Sequence, residues 1–307
     1  MIRRLLLYLS SADWTKRALT RFSFARRTAL RFVAGETMDD AIQATRALEQ
    51  HGLLATLDYL GESVLEEADT RAVVATYQAL VERIQREGLK ASVSLKLTHL
   101  GLDISEDLCK DNLRAILKAA QACNVHVTID MESSAYTEKT LRIFRAMRDT
   151  FKFDNVGIVI QAYLRRSEQD MRELAAEGAH VRLCKGAYLE PPEVAFPKKD
   201  DVDASFVRLM RAFLNAPPPA YLCIATHDEN MIAAAEAAFR DFEVPPERYE
   251  FQMLYGVRPA RQRELAQSGY KVRIYVPFGE AWYPYFMRRL AERPANLWFF
   301  VRALVGR

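Results

Sequence analysis

Side chains able to do chemistry recur at the ends of short apolar runs in this sequence. Seven of the eight runs carry an ionisable or amide side chain at or near their carboxyl end, which is too polar for a purely structural rim. A charge buried there must be paired or bound to a ligand, because an unpaired buried charge is very costly. The candidate residues at or beside these ends are Asp58, Lys96, Asp130, Met131, Gln161, Arg182, Lys185, Thr226, His227, Leu254 and Tyr275.

A second cluster lies in the segment WYPYFMRRLAERP, residues 282–294. Arg288 and Arg289 are adjacent there, and Glu292 follows one turn after Arg288. The pair could be a solvated patch, half of a salt bridge or a clamp for an anion. Adjacent residues of a helix diverge by about 100°. The two guanidiniums therefore cannot duplicate each other, and an anion could sit between them.

The elements that must position these residues alternate regularly along the chain. Short β-type runs are separated by longer amphipathic patterns, such as 66–88, 105–123 and 228–242, the last two with Ser105 and Asp228 as predicted N-caps. The β-type runs cover residues 53–60, 91–97, 125–131, 156–163, 180–186, 221–226, 249–256 and 271–279.

This alternation predicts parallel strands, because right-handed crossovers between them need helices. Eight repeats in about 250 residues match a (β/α)8 TIM barrel; an open doubly wound sheet is the alternative. We expect one catalytic barrel over residues 35–307, preceded by a basic helical arm over residues 1–34. Active sites of such barrels lie at the carboxyl ends of the strands, where the candidate residues fall.

The composition excludes several other classes of protein. The 43 Lys and Arg residues nearly balance the 40 Asp and Glu residues, so there is no case for nucleic-acid binding. Four cysteines far apart form no CxxC pair, which favours free thiols in the cytoplasm and no zinc site. The apolar core of the N-terminus, Leu5–Leu9, is too short for a signal peptide or a membrane span.

No metal site and no standard nucleotide motif is expected. The histidines are scattered without metal-ligand spacing, and neither GxGxxG nor GxxxxGK[ST] occurs. A nucleotide cofactor would therefore be held by the barrel mouth. Two simpler interpretations stay open: Asp58 and Asp130 could be rim carboxylates matched to Lys96 and Arg182, and His227 could only support the next helix.

At these residues the chain resembles the proline dehydrogenase family. The resemblance covers roughly residues 35–307, and its motifs occur in order. They are LDYLGE (57–62), SLKLTHLGLD (94–103), IDME (129–132), GIVIQAYLRR (157–166), VRLCKGAYLEP (181–191), ATHD (225–228), YEFQMLYGVR (249–258) and YVPFGEAWYPYFMRRLAERPAN (275–296).

The resemblance implies a distorted (β/α)8 barrel whose last helix lies over the mouth, similar to the monofunctional bacterial form. It implies FAD at the strand ends, with Asp130 and Arg182 as catalytic residues, Arg182 lying near the flavin N5. It places Lys96, Leu254, Tyr275, Arg288 and Arg289 around proline, and makes Glu62 a partner that closes the site by pairing with Arg288. The implied FAD contacts are Met131, Gln161, Arg182, Lys185, Gly186, Ala187, Thr226, His227 and Glu292.

The residue types suit this chemistry. Oxidation of a secondary amine removes a hydride equivalent from the carbon next to nitrogen, which the resemblance takes as transfer from proline C5 to FAD N5. Arginine grips a carboxylate bidentately, and lysine acts as a point charge. An arginine near N5 would stabilise the charge that develops on the reduced flavin.

The family hands its electrons to a membrane quinone, and its product passes to a pyrroline-5-carboxylate dehydrogenase. The basic arm is therefore expected to contact anionic lipid at the inner face of the cytoplasmic membrane; a helical arm for self-association is the alternative. Two rival functions differ in class. One is an aldolase that forms a Schiff base through Lys96 or Lys185, and the other is a binding protein that has lost its chemistry.

Overall fold

The computed structural model describes residues 31–292, with the side chains of residues 31–287. Eight parallel strands close into a barrel in chain order, β1 pairing with both β2 and β8. The closed barrel is thus confirmed over the open sheet, and each predicted run contains one strand. The strands are β1 (Leu54–Tyr59), β2 (Ala91–Leu95), β3 (Val127–Ile129), β4 (Val156–Gln161), β5 (His180–Cys184), β6 (Tyr221–Ala225), β7 (Tyr249–Leu254) and β8 (Val272–Phe278).

Every connection between consecutive strands contains a helix, as the alternation predicts. A helix also precedes β1 and another follows β8, and a short π-helical segment, Ala146–Thr150, continues α4. The helices are α1 (Met38–Glu49), α2 (Glu67–Arg86), α3 (Glu106–Ala122), α4 (Ser134–Arg145), α5 (Ser167–Ala176), α6 (Lys199–Leu214), α7 (Glu229–Asp241), α8 (Pro259–Gln267) and α9 (Trp282–Glu292).

Helix α3 shows why the helices form where they do. The Ser105 hydroxyl accepts a hydrogen bond from the Leu108 N–H, and two acidic residues follow in the first turn, where the helix dipole favours them. The buried side chains lie at helical spacing on one face, against the barrel. They are Cys109, Leu113, Ile116, Leu117 and Ala120.

The strands alternate between an apolar outer face and a polar inner face. In β2, Val93 and Leu95 belong to the buried apolar core, whereas Ser94 bonds to residues of other strands. Arg182 of β5 donates to the Ser94 hydroxyl across the barrel at 2.9 Å, although β2 and β5 are not neighbours. The barrel interior is therefore a hydrogen-bonded polar core surrounded by an apolar layer under the helices.

At the opposite end of the barrel from the mouth, His126 and His180 stack with ring centroids 4.0 Å apart. Glycine at 157 makes room for them, because a Cβ there would lie 2.8 Å from His126 Nε2. Burial, with the nearby Arg273 and Arg182 guanidiniums, lowers the pKa of His180 to about 3. Burial also holds the pKa of His126 well below its ordinary value. Both rings are therefore neutral in the folded protein.

Acid should destabilise the fold through these histidines. The unfolded chain takes up a proton at an ordinary histidine pKa near 6.5, but folded His180 does so only near 3. The free energy of unfolding is therefore highest above pH 6.5. Below that pH it falls by about 1.4 kcal/mol per pH unit for each such histidine. Urea unfolding at pH 7 and pH 5 should show His180→Phe with about 2 kcal/mol less pH dependence than the parent. Equal pH dependence in both proteins would contradict this.

The first and last segments of the described chain lie together at the mouth of the barrel. The Ala34 N–H donates to the Pro277 carbonyl of β8 at 2.9 Å, and Val33 packs with α9 in one buried cluster. Residues 31–34 form a turn, and the rest of the predicted helical arm, residues 1–30, lies outside the described residues. Helix α9 lies at the mouth as predicted, with Leu60 in the same cluster. Between residues 31 and 292, no helix is long and apolar enough to cross a membrane.

Candidate active site

A cavity of about 810 Å³ opens at the carboxyl ends of the strands, within the size range of ligand pockets. Twelve of the candidate site residues line it, and α9 adds Tyr285. The twelve are Lys96, Asp130, Met131, Gln161, Arg182, Lys185, Gly186, Ala187, Thr226, His227, Leu254 and Tyr275. Glu62 lies in the loop after β1 and is not among the lining residues of this cavity. The side chains of Arg288, Arg289 and Glu292 lie outside the described residues.

Asp130 is the point on which the polar groups of the mouth converge. Its Oδ1 accepts from Arg182 Nη1 at 2.7 Å and from the Ser94 hydroxyl at 3.1 Å. Its Oδ2 accepts from the Tyr275 hydroxyl at 2.6 Å and lies 3.6 Å from Lys96 Nζ. Burial, with Asp130 next to it, raises the pKa of Tyr275 well above its ordinary value. Tyr275 is therefore a neutral phenol whose proton is committed to Asp130.

Lys96 lies between two carboxylates. Its Nζ is 3.5 Å from Asp58 Oδ2 and 3.6 Å from Asp130 Oδ2. Burial favours the neutral amine, but the two carboxylates outweigh it and raise the pKa of Lys96 above its ordinary value. The side chain is thus a fixed positive charge. The interpretation of Asp58 and Asp130 as carboxylates matched to Lys96 and Arg182 agrees with these distances.

Arg182 is held on two edges. Its Nη1 bonds Asp130 and Ser94, and its Nε donates to the Gln252 side-chain oxygen. The remaining nitrogen, Nη2, is buried and has no hydrogen-bond partner within residues 31–287. Because Arg182 lines the cavity, this donor is suited to an acceptor atom of a ligand.

Lys185 and His227 are both engaged by the protein. Lys185 Nζ donates to Asp203 and to Asp228 Oδ2, the second at 2.8 Å. His227 Nε2 accepts from the Leu254 N–H at 2.8 Å, so the imidazole carries its proton on Nδ1. The His227 side chain therefore supports the end of β7, not the next helix as the simpler interpretation expected, and it also lines the cavity. Asp228 caps α7 as predicted, accepting from the Asn230 N–H.

Gly186 begins the loop that covers one side of the cavity. Its φ of +107° is a conformation that L side chains rarely adopt, and a Cβ there would lie 2.2 Å from the Tyr163 ring. The backbone can pass under Tyr163 only because the residue is glycine. The loop is also tied to α4, whose Ser134 N–H and hydroxyl both donate to Glu190. The cavity wall at Gly186 is thus backbone, which lets a ligand approach closely.

Sequence reasoning assigned no role to two buried polar residues that support this site. Gln252 lies two residues before Leu254 on β7, on the same inward face, and bonds Arg182. Glu132 accepts from the Thr98 N–H and hydroxyl, which fixes the turn after Lys96. The signal for both was polarity inside an otherwise buried run, at YEFQML and IDME. Within residues 31–287, no group of three or more histidine, cysteine or acidic side chains could hold a metal ion.

Known proteins similar to this chain agree on one family. Residues 41–302 match the family described as proline dehydrogenase. The chain is 42% identical to proline dehydrogenase 1 of Bacillus subtilis over 99% of both chains. It is 40% identical to proline dehydrogenase of Deinococcus radiodurans, over 90% of this chain and 89% of that one.

A solved structure agrees in fold. The proline utilization A protein of Bdellovibrio bacteriovorus, inactivated by N-propargylglycine, superposes with a TM-score of 0.81 at 28% identity. The match covers 87% of this chain and 33% of the other, so this chain spans about a third of that larger protein. Together with the near full-length matches, this shows that the chain belongs to the proline dehydrogenase family.

Proposed function

We propose that this protein oxidises L-proline to Δ1-pyrroline-5-carboxylate, the first step of proline catabolism to glutamate, with FAD held in the barrel mouth. The observation that carries the proposal is the Asp130 cluster, in which Lys96, Arg182 and Tyr275 are fixed around one carboxylate. Such a preorganised set of charges can bind and orient a small zwitterion without rearranging.

The residues proposed to hold FAD fit a large ligand rich in acceptor atoms. Arg182 offers the unpartnered Nη2, and Gly186 offers backbone at the cavity wall beside Tyr163. When bound, FAD supplies the acceptor for the hydride equivalent taken from proline C5. Met131, Gln161, Lys185, Ala187, Thr226, His227 and Glu292 complete the proposed contact set, of which all but Glu292 line the cavity.

The substrate is proposed to lie between Lys96, Tyr275, Leu254 and the two arginines of α9. The fixed ammonium of Lys96 attracts the proline carboxylate, and Arg288 and Arg289 clamp it. Because the Tyr275 hydroxyl is committed to Asp130, its ring orientation is set, and the ring can wall the pyrrolidine together with Leu254. Glu62 is proposed to pair with Arg288 and close the site.

The Schiff-base alternative fits the geometry less well. An imine-forming lysine must be neutral to attack a carbonyl. Lys96 is held as an ammonium by two carboxylates, and Lys185 donates to two others. Neither lysine therefore has the environment that this chemistry needs.

One spectrum tests the proposal. The purified protein should show a flavin absorbance that bleaches when proline is added without oxygen. A protein that contains no flavin and cannot take up FAD would overturn the proposal. Trapping of a keto acid by borohydride on Lys96 or Lys185 would instead support the aldolase.

The clamp predicts the effect of conservative changes in α9. Arg288→Lys and Arg289→Lys should each raise KM for proline about 10- to 100-fold, because lysine cannot make the bidentate contact. The flavin content should not change. Arg142→Lys, at an exposed arginine paired with Glu106, is the matched control and should leave KM unaltered. If either variant keeps its affinity for proline, the substituted arginine is not part of the clamp.

The partners are also proposals. Electrons are proposed to leave to a membrane quinone, and the product to pass to a pyrroline-5-carboxylate dehydrogenase. The basic residues of the arm, among them Arg3, Arg4, Arg26 and Arg27, suit a peripheral contact with anionic lipid on the cytoplasmic side. The test is binding to anionic vesicles before and after deletion of residues 1–34. Equal binding would count against this contact and favour self-association as the role of the arm.

A further inference from the structure

A chain of hydrogen bonds runs from Arg182 into the depth of the barrel. Arg182 Nε donates to Gln252 Oε1, and Gln252 Nε2 donates to Glu250 Oε1 at 2.6 Å. Gln252 and Glu250 are 6% and 2% exposed, so water does not compete for these bonds. An arginine nitrogen can only donate and an ionised carboxylate can only accept. The amide between them therefore has one orientation.

Glu250 is itself anchored, which makes that orientation permanent. Its Oε1 also accepts from Arg273 Nε at 2.7 Å, and its Oε2 accepts from the Tyr221 hydroxyl at 3.2 Å. Burial opposes ionisation of Glu250, but Arg273 and the hydrogen bonds outweigh it and lower the pKa of that carboxyl. The deep end of the chain is thus a fixed anion that fixes the amide above it.

The consequence falls on Arg182. With Nε held by Gln252 and Nη1 held by Asp130, the guanidinium plane cannot rotate, and Nη2 is the nitrogen left without a partner within the described side chains. The contact at Nε is a neutral amide. A carboxylate there would be a second anion on the same guanidinium and would cancel charge that a ligand could use.

We propose that Gln252, oriented by Glu250, is a positioning residue that aims Arg182 at the reacting centre and leaves its positive charge uncancelled. The inference rests on the proposed function, in which Arg182 faces the flavin and proline. It adds a residue that lines the cavity and acts on the reaction by holding Arg182 in place.

Removal of the amide tests the positioning. In the FAD-loaded enzyme, Gln252→Leu should lower kcat about 10- to 100-fold while KM for proline stays within about threefold, because the carboxylate clamp is untouched. The control is Asn155→Leu, which removes a side-chain amide bonded to two carbonyls at the start of β4, far from the mouth. It should lose stability but keep kcat. Equal kcat in both variants would overturn the proposal.

A charge in place of the amide gives a second, spectroscopic readout. In Gln252→Glu the new carboxyl meets Arg182 on one side and Glu250 and Arg273 on the other, with Asp130 across Arg182. Protonated, it can replace the amide in both hydrogen bonds. Ionised, it cancels Arg182. We expect kcat near the parent value at low pH, a new decline as the pH rises, and a more negative flavin reduction potential above that decline.

The outcomes separate the two proposals. If the parent protein does not bleach with proline, the proposed function fails whatever Gln252 does. If the parent bleaches and Gln252→Glu keeps the parental kcat, pH profile and flavin potential from pH 6 to 9, the positioning role is wrong. Gln252→Glu is nearly isosteric, so it carries the test if Gln252→Leu does not fold.

Discussion

Asp130→Asn should reduce kcat/KM for proline at least about 100-fold and lower the free energy of unfolding by about 3–5 kcal/mol. The carboxylate bonds Arg182 and Tyr275 and lies beside Lys96. An amide has no charge to balance the two cations, and its NH2 group would face a donor on one side. Steady-state kinetics and urea unfolding of the same preparation measure both effects.

The matched control for this change is Asp170→Asn. Asp170 is a buried carboxylate, 4% exposed, paired with Arg166 outside the barrel. Because Arg166 is partly exposed, water can solvate it when the partner is lost. We expect a smaller loss of stability and full activity. If Asp130→Asn behaved like Asp170→Asn, Asp130 would be a structural carboxylate only.

Gly186→Ala should abolish stable FAD binding, raising the dissociation constant about 10- to 1,000-fold. The substitution places a methyl group 2.2 Å from the Tyr163 ring in a left-handed backbone conformation. Strain of about 1–3 kcal/mol and a similar cost of overpacking must be relieved by moving the loop. That loop forms one wall of the cavity. Titration of the FAD-free protein with FAD, followed by fluorescence, measures the change.

Gly88→Ala separates strain from the clash. Gly88, just after α2, also has a positive φ of +63°, but a Cβ there would meet nothing within 4 Å. Its cost should be about 1 kcal/mol of stability, with normal FAD affinity. Retention of normal FAD affinity by Gly186→Ala would show that the loop around Gly186 does not hold the cofactor.

The architecture could be predicted from the sequence because each strand and helix carries its own period. All eight runs were located to within two residues of the strand at each end, since alternation and caps are local signals. The run 125–131 was too long, because β3 keeps only Val127–Ile129. Its polar flanks, His126 and Asp130, serve the barrel interior instead.

Contacts across the barrel could not be predicted in the same way. That Asp130 receives both Arg182 and Tyr275 depends on the register of strands that are not neighbours, which no local pattern encodes. Gln252 was missed because only the residues at the strand ends were considered. It lies two residues before the end of β7. The engagement of Lys185 by Asp203 was hidden too, since Asp203 lies on the helix after the covering loop.

The bonds across the barrel also bear on how the chain folds. Tyr275 and Asp130 are 145 residues apart in sequence, and Arg182 and Ser94 are 88 apart. Forming such distant pairs requires closing long loops, which slows folding. A fragment ending after β4 would contain Asp130 and Lys96 but neither Arg182 nor Tyr275. Its interior would hold polar groups without their partners. We therefore expect the two halves of the barrel to become stable in the same step, late in folding.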